Sequence, residues 1–148
     1  MVIRIRNQQR SKSLNLRKVR KDLATAAARL GLENSEISIL FTGSAKMKSL
    51  NTAYRGIPKE TDVLSFPMDA PTGGGAISVH RLPVMLGDIV VSIPRAVSQA
   101  KENGVTLQEE LRRLLIHGLL HLAGYDHEQS RFQKTRMEKK ERELLNAV

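Results

Sequence analysis

Three of the chain's four histidines lie in one stretch, His117-Gly-Leu-Leu-His121-Leu-Ala-Gly124-Tyr-Asp-His127. On an α-helix, residues four apart share a face about one turn apart, so His117 and His121 can aim their imidazoles at one point. Gly124 is the residue best able to take the left-handed backbone that ends a helix, and it would swing His127 round to the same point. Three neutral imidazoles at about 2.1 Å leave a tetrahedral zinc one open position, the arrangement of catalytic sites. One histidine alone would read as an ordinary core or surface residue. Three at this spacing predict one zinc per chain, held by His117, His121 and His127. Asp126, beside the third ligand, either orients a histidine by accepting its N–H or caps the turn.

The stretch reads H-x-x-x-H-x-x-G-x-x-H, the metzincin pattern H-E-x-x-H-x-x-G-x-x-H with Gly118 in the glutamate position. In those peptidases the glutamate is the general base that takes a proton from the attacking water. Glycine has nothing to take it with, so peptide hydrolysis by that route is disfavoured.

The helix that must carry the first two histidines has the clearest start signal in the chain. Thr106 and Glu109 form a capping box, and Leu107, Leu111, Leu114, Leu115, Leu119 and Leu122 supply an apolar side. This predicts a core-seated helix over residues 106–123. Elsewhere strands and helices alternate. Val2 to Arg6 alternates apolar and basic as a half-exposed strand does. Leu14 to Leu30 has helical spacing with Gly31 as its stop. Glu36 to Thr42 reads as a strand, Ser44 to Tyr54 as a helix, Thr61 to Pro67 as a short strand, and Leu86 to Ser92 as an apolar strand holding one acid, Asp88. Asp69 to Met85, rich in Pro and Gly, predicts a long loop or loosely held hairpin. Pro94 opens a helix that Gly104 closes. Ser130 to Leu145 is a highly charged helix expected to be a solvated surface element. Asp88, Ser65 and His80 are read as structural residues.

The chain has 148 residues, 24 Lys and Arg against 15 Asp and Glu, and a net charge of +9. That length predicts one domain with its own core. Eight bases and no acid fall in the first 21 residues, a footprint suited to a polyanion such as nucleic acid, or else to a solvated basic face. Arg17, Lys18, Arg20 and Lys21 are the candidate RNA contacts. Aromatic residues are 3%, so RNA would be held by its phosphates or shape rather than on a stacking platform. With no cysteine there is no thiolate ligand and no disulfide, which suits a reducing cytoplasm. Neither a secretory signal nor a membrane-spanning run is expected.

HGLLHLAGYDH, together with Leu50-Asn-Thr-Ala-Tyr-Arg55, Thr61-Asp-Val-Leu-Ser-Phe-Pro67 and Leu86-Gly-Asp-Ile-Val-Val-Ser92, resembles the YbeY family of bacterial single-strand-specific endoribonucleases, the ribosomal RNA maturation factors. The match runs in order over roughly residues 36 to 127. The resemblance implies a zinc-dependent, zincin-like α+β fold with a small mixed sheet. It also implies a role in maturing the 3′ end of small-subunit ribosomal RNA and in ribosome quality control. His117, His121 and His127 match the family's metal ligands, and Arg55 its functionally required arginine. The chain departs from the family pattern at Pro58, where an acid is usual, and at Glu60, where a proline is usual. That predicts an altered loop between Arg55 and Thr61, which bears on how Arg55 is presented.

The chemistry agrees with the resemblance. Phosphodiester cleavage needs a Lewis acid or an activated nucleophile, and positive charge where the phosphorane oxygens gain charge. Zinc suits the first need and the guanidinium fork of Arg55 the second. Zinc can also bring the pKa of water to about 7, so Gly118 does not rule out catalysis. Two alternatives stand beside this reading: a metal-dependent hydrolase of another class, such as a peptidase drawing its base from elsewhere, and a non-catalytic zinc-stabilised ribosome assembly factor.

Overall fold

The computed structural model describes residues 1–68, 83–126 and 130–148. Four strands, β1 (Val2–Asn7), β2 (Ser35–Thr42), β3 (Val63–Pro67) and β4 (Val84–Ser92), form one sheet in the order β1-β2-β4-β3. β1 pairs with β2, and β2 with β4, in parallel. β3 runs antiparallel to β4 at the edge. Five helices complete the order, α1 (Leu16–Arg29), α2 (Ser44–Arg55), α3 (Ile93–Asn103), α4 (Leu107–Leu122) and α5 (Arg131–Ala147). This is the expected α+β architecture with a small mixed sheet.

Successive strand side chains point to opposite faces, and the two faces are covered differently. Ile37, Ile39 and Phe41 of β2 and Ile89 and Val91 of β4 join one core with α1, α3, α4 and α5. On the other face Val90 and Leu64 meet Met47 and Leu50 of α2. α4 lies at the centre of the larger core, with Leu111, Leu114, Leu115, Ile116, Leu119 and Leu120 all buried. Its start is as expected, with the Thr106 hydroxyl accepting the Glu109 backbone N–H at 3.1 Å. Arg112 donates to Asp22 at 2.9 Å and ties α4 to α1.

Three expectations need correction. β4 begins at Val84, not Leu86, because Val84 and Met85 pair with Ser35 and Glu36 before the register shifts. The predicted 69–85 loop therefore ends sooner, and residues 69–82, with His80, lie outside the described residues. Asp88, read as a structural acid of its strand, is exposed and lines a broad groove on the α2 side of the sheet, with Arg4, Arg6 and Lys46. Finally, α5 is not wholly solvated. Met137 and Leu144 are buried in the main core, a stripe too sparse to stand out among its charges.

Candidate metal centre and cleft

α4 carries His117 and His121 one turn apart on its less buried side, and their Nε2 atoms converge to 3.1 Å. The rings meet edge to face, centroids 4.7 Å apart. After Leu122 the helix closes on Ala123, and Gly124 takes φ +98°, a positive value that permits the reversal expected of it. His127 lies just beyond, outside the described residues. Among the described residues no group of three His, Cys, Asp or Glu assembles, so two of the three expected ligands can be located.

Those two fit a metal. Two nitrogens bound at about 2.1 Å to one tetrahedral ion would stand about 3.4 Å apart, and the observed 3.1 Å is within a few tenths of an ångström of that. The spacing of the two ring nitrogens is therefore compatible with their serving as two ligands of one cation.

The pair lines a cleft of about 580 Å³, within the roughly 300–1,000 Å³ of ligand sites. Thr61, Asp62 and the β3 residues Val63, Leu64, Ser65 and Pro67 line it, as do Gly124, Tyr125 and Asp126 of the turn and Arg55 at the end of α2. Arg55 is exposed, and among the described residues it makes no ion pair. Asp62 is instead occupied by the Val63 N–H at 2.8 Å and the Gln99 amide at 3.2 Å. The loop carrying the two departures is tied down locally. Gly56 caps α2 at φ +68°, Asn51 donates to the Lys59 carbonyl at 2.8 Å, and the Ser92 hydroxyl donates to Glu60 at 2.5 Å. Pro58 and Glu60 thus leave Arg55 at the cleft.

Gly118 has a packing reason as well as a chemical consequence. A Cβ there would lie 3.1 Å from Ile89 side-chain carbons and 3.2 Å from Ser65 Oγ. The position that holds the peptidase glutamate is here the contact between α4 and the sheet.

Three side chains of α4 and α5 escaped the sequence reading. Glu141 of α5 accepts from His117 Nδ1 at 2.5 Å. Arg136, also of α5, lies over the Tyr125 ring at 4.8 Å. Arg113, one turn before His117, donates to Glu110 at 2.5 Å. That hydrogen bond holds its guanidinium above the usual arginine value against the opposing effect of burial, with the charges of Glu110, Asp62 and Glu141 adding to the rise. Helical periodicity offers no signal for Glu141, because its partner is 24 residues away on another helix. Of the four basic residues singled out on α1, all are exposed and none lines the cleft. Arg20 also donates to the Ile3 carbonyl at the sheet's edge.

Known proteins bear on what this arrangement is. A family model described as Endoribonuclease YbeY matches residues 4–148. The endoribonuclease YbeY of Aquifex aeolicus is 45% identical over 140 residues, covering 91% of this chain and 85% of that protein. Its namesake in Geobacter metallireducens is 38% identical over 146 residues, covering 98% and 94%. A solution structure of a Thermotoga maritima protein superposes with a TM-score of 0.69 at 27% identity, over 99% of this chain and 88% of that one. With nearly its whole length matched by the family model and by relatives above a third identical, the chain belongs to the endoribonuclease YbeY family.

Proposed function

We propose that this protein is a zinc-dependent, single-strand-specific endoribonuclease that processes ribosomal RNA, maturing the 3′ end of small-subunit rRNA, and serves ribosome quality control. Residues 1–148 act as one catalytic domain, and family membership makes the chain an endoribonuclease. The observation that carries the rest is the convergence of His117 and His121 at 3.1 Å in a cleft that Arg55 also lines. His117, His121 and His127 would hold the zinc, which supplies Lewis acidity and a means of ionising water near neutral pH.

The chain's own residues do the rest. Arg55 grips the scissile phosphate through its planar fork and meets the charge that grows on the phosphoryl oxygens. Its freedom from any ion pair among the described residues leaves the fork available. Asp126 at the cleft wall helps hold the ligand set in place. A flexible strand can lower one phosphodiester into this concavity, whereas a duplex would first have to open, which favours single-stranded substrate. The basic residues of α1, Arg17, Lys18, Arg20 and Lys21, contact phosphates away from the cut and add affinity without sequence preference. No described helix is long and apolar enough to cross a membrane, and the protein acts in the cytoplasm on the small ribosomal subunit or its RNA.

Zinc-loaded protein incubated with a small-subunit rRNA precursor carrying a single-stranded 3′ extension should shorten that extension, while the same segment annealed to a complementary strand should resist. Equal cutting of both forms would overturn the single-strand reading. Binding of the precursor without cutting would favour the assembly-factor alternative.

A further inference from the structure

We propose that Glu141 is a positioning residue of the metal centre: its carboxylate fixes His117 in the tautomer whose Nε2 carries the lone pair a zinc ligand needs, making the C-terminal helix part of the site. The proposal rests on the zinc reading above. A carboxylate only accepts hydrogen bonds, so at 2.5 Å from Oε1 the proton of a neutral His117 ring must sit on Nδ1. Nε2 is then left with its lone pair, and it is Nε2 that faces His121 Nε2 at 3.1 Å. The two contacts use opposite sides of one ring and together set both its tautomer and its plane.

The placement of the carboxylate is itself held by packing. Met137, four residues before Glu141, and Leu144, three after, are each 1% exposed in the main core. All three lie on one stripe of α5, so the helix is anchored on both sides of the acid. The Glu141 side chain is 21% exposed and that of His117 26%, so the bond is partly shielded from competing water. A ligand histidine whose other nitrogen is held by a carboxylate is a better oriented and more basic ligand, and losing such a partner costs roughly 10- to 100-fold in metal affinity.

Zinc affinity, measured by competition with a chelating dye, should fall by roughly 10- to 100-fold in Glu141→Ala. Glu141→Gln, whose amide oxygen can still accept from Nδ1, should recover part of the loss. Glu138→Ala, which removes an exposed acid from the same helix, should bind zinc like wild type. In metal-free wild type at mildly alkaline pH, nitrogen NMR should show His117 with its proton on Nδ1, shifting towards Nε2 in Glu141→Ala. Should the alanine variant fail to fold, the near-isosteric Glu141→Gln still has to show weakened affinity. Unchanged zinc affinity in whichever Glu141 variant folds overturns the proposal, as does an unchanged His117 tautomer in Glu141→Ala. If wild type itself binds no zinc, it is the zinc reading that fails, and the metal-free tautomer alone then judges whether Glu141 orients His117.

Discussion

Arg55 is where the chemistry of the site can be separated from its binding. A guanidinium that meets charge developing during phosphoryl transfer stabilises the transition state more than the ground state, so its removal lowers turnover more than affinity. Arg55→Ala should keep its fold and metal, bind RNA within a few-fold of wild type, and lose on the order of 10² in cleavage rate, the scale of one lost preorganised donor. Arg55→Lys should restore only part, since an ammonium keeps the charge and loses the fork. Single-turnover cleavage beside equilibrium binding checks both, and normal cleavage by Arg55→Ala would remove this arginine from the mechanism. His117 and His121 were legible because helical periodicity converts a spacing of four directly into a shared face. Glu141 was not: a glutamate among the many charges of 131–147 looks like solvent-facing helix until the fold brings it to His117.

At the level of elements, the cleft depends on how closely α4 and β3 approach β4, and two glycines permit it. Gly87 has φ +142°, and a Cβ there would sit 2.2 Å from the Phe66 carbonyl oxygen. Gly87→Ala should therefore combine backbone strain with an unavoidable clash and cost on the order of 3 kcal/mol or more, read by urea unfolding. Wild-type stability in that variant would mean β3 can shift away from β4 without loss. Gly118 is the second. Gly118→Glu restores the peptidase pattern in sequence, but it drives a charged side chain against Ile89 and Ser65. That variant should be destabilised by several kcal/mol, as expected for overpacking with an unpaired buried charge. It should hydrolyse casein no better than wild type, and chelator-sensitive peptide turnover would revive the peptidase alternative. The helices read well from sequence because Thr106, Gly104 and Gly31 mark ends by local geometry that needs no partner. The start of β4 did not, since Val84 and Met85 follow Pro83 and become a strand only by pairing with β2.

Across the whole molecule, charge and chemistry are set apart. The net charge of +9 includes a basic exposed face on α1, outside the cleft lining, which suits a partner long enough to touch both. Each phosphate contact contributes roughly 0.7 to 0.9 to the slope of log affinity against log salt. Neutralising Arg17, Lys18, Arg20 and Lys21 together should therefore flatten that slope while leaving the zinc content unchanged. An unaltered slope would place the RNA path elsewhere, with Arg4, Arg6 and Lys46, which line the groove on the α2 side of the sheet that Arg20 also borders, the first residues to test. Charge patterning made a polyanion partner legible, but not the path it takes, because the order β1-β2-β4-β3 and the faces it creates depend on long-range pairing.

The central claim, that RNA is cut at a zinc centre built on α4, is tested most directly by measuring bound zinc and cleavage of one single-stranded RNA together in wild type and His121→Ala. Wild type should carry about one zinc per chain, lose cleavage on chelation and regain it on zinc addition, while His121→Ala should lose most of the metal and at least about 10²-fold in rate. His121→Ala holding full zinc, or cutting at the wild-type rate after chelation, would contradict it.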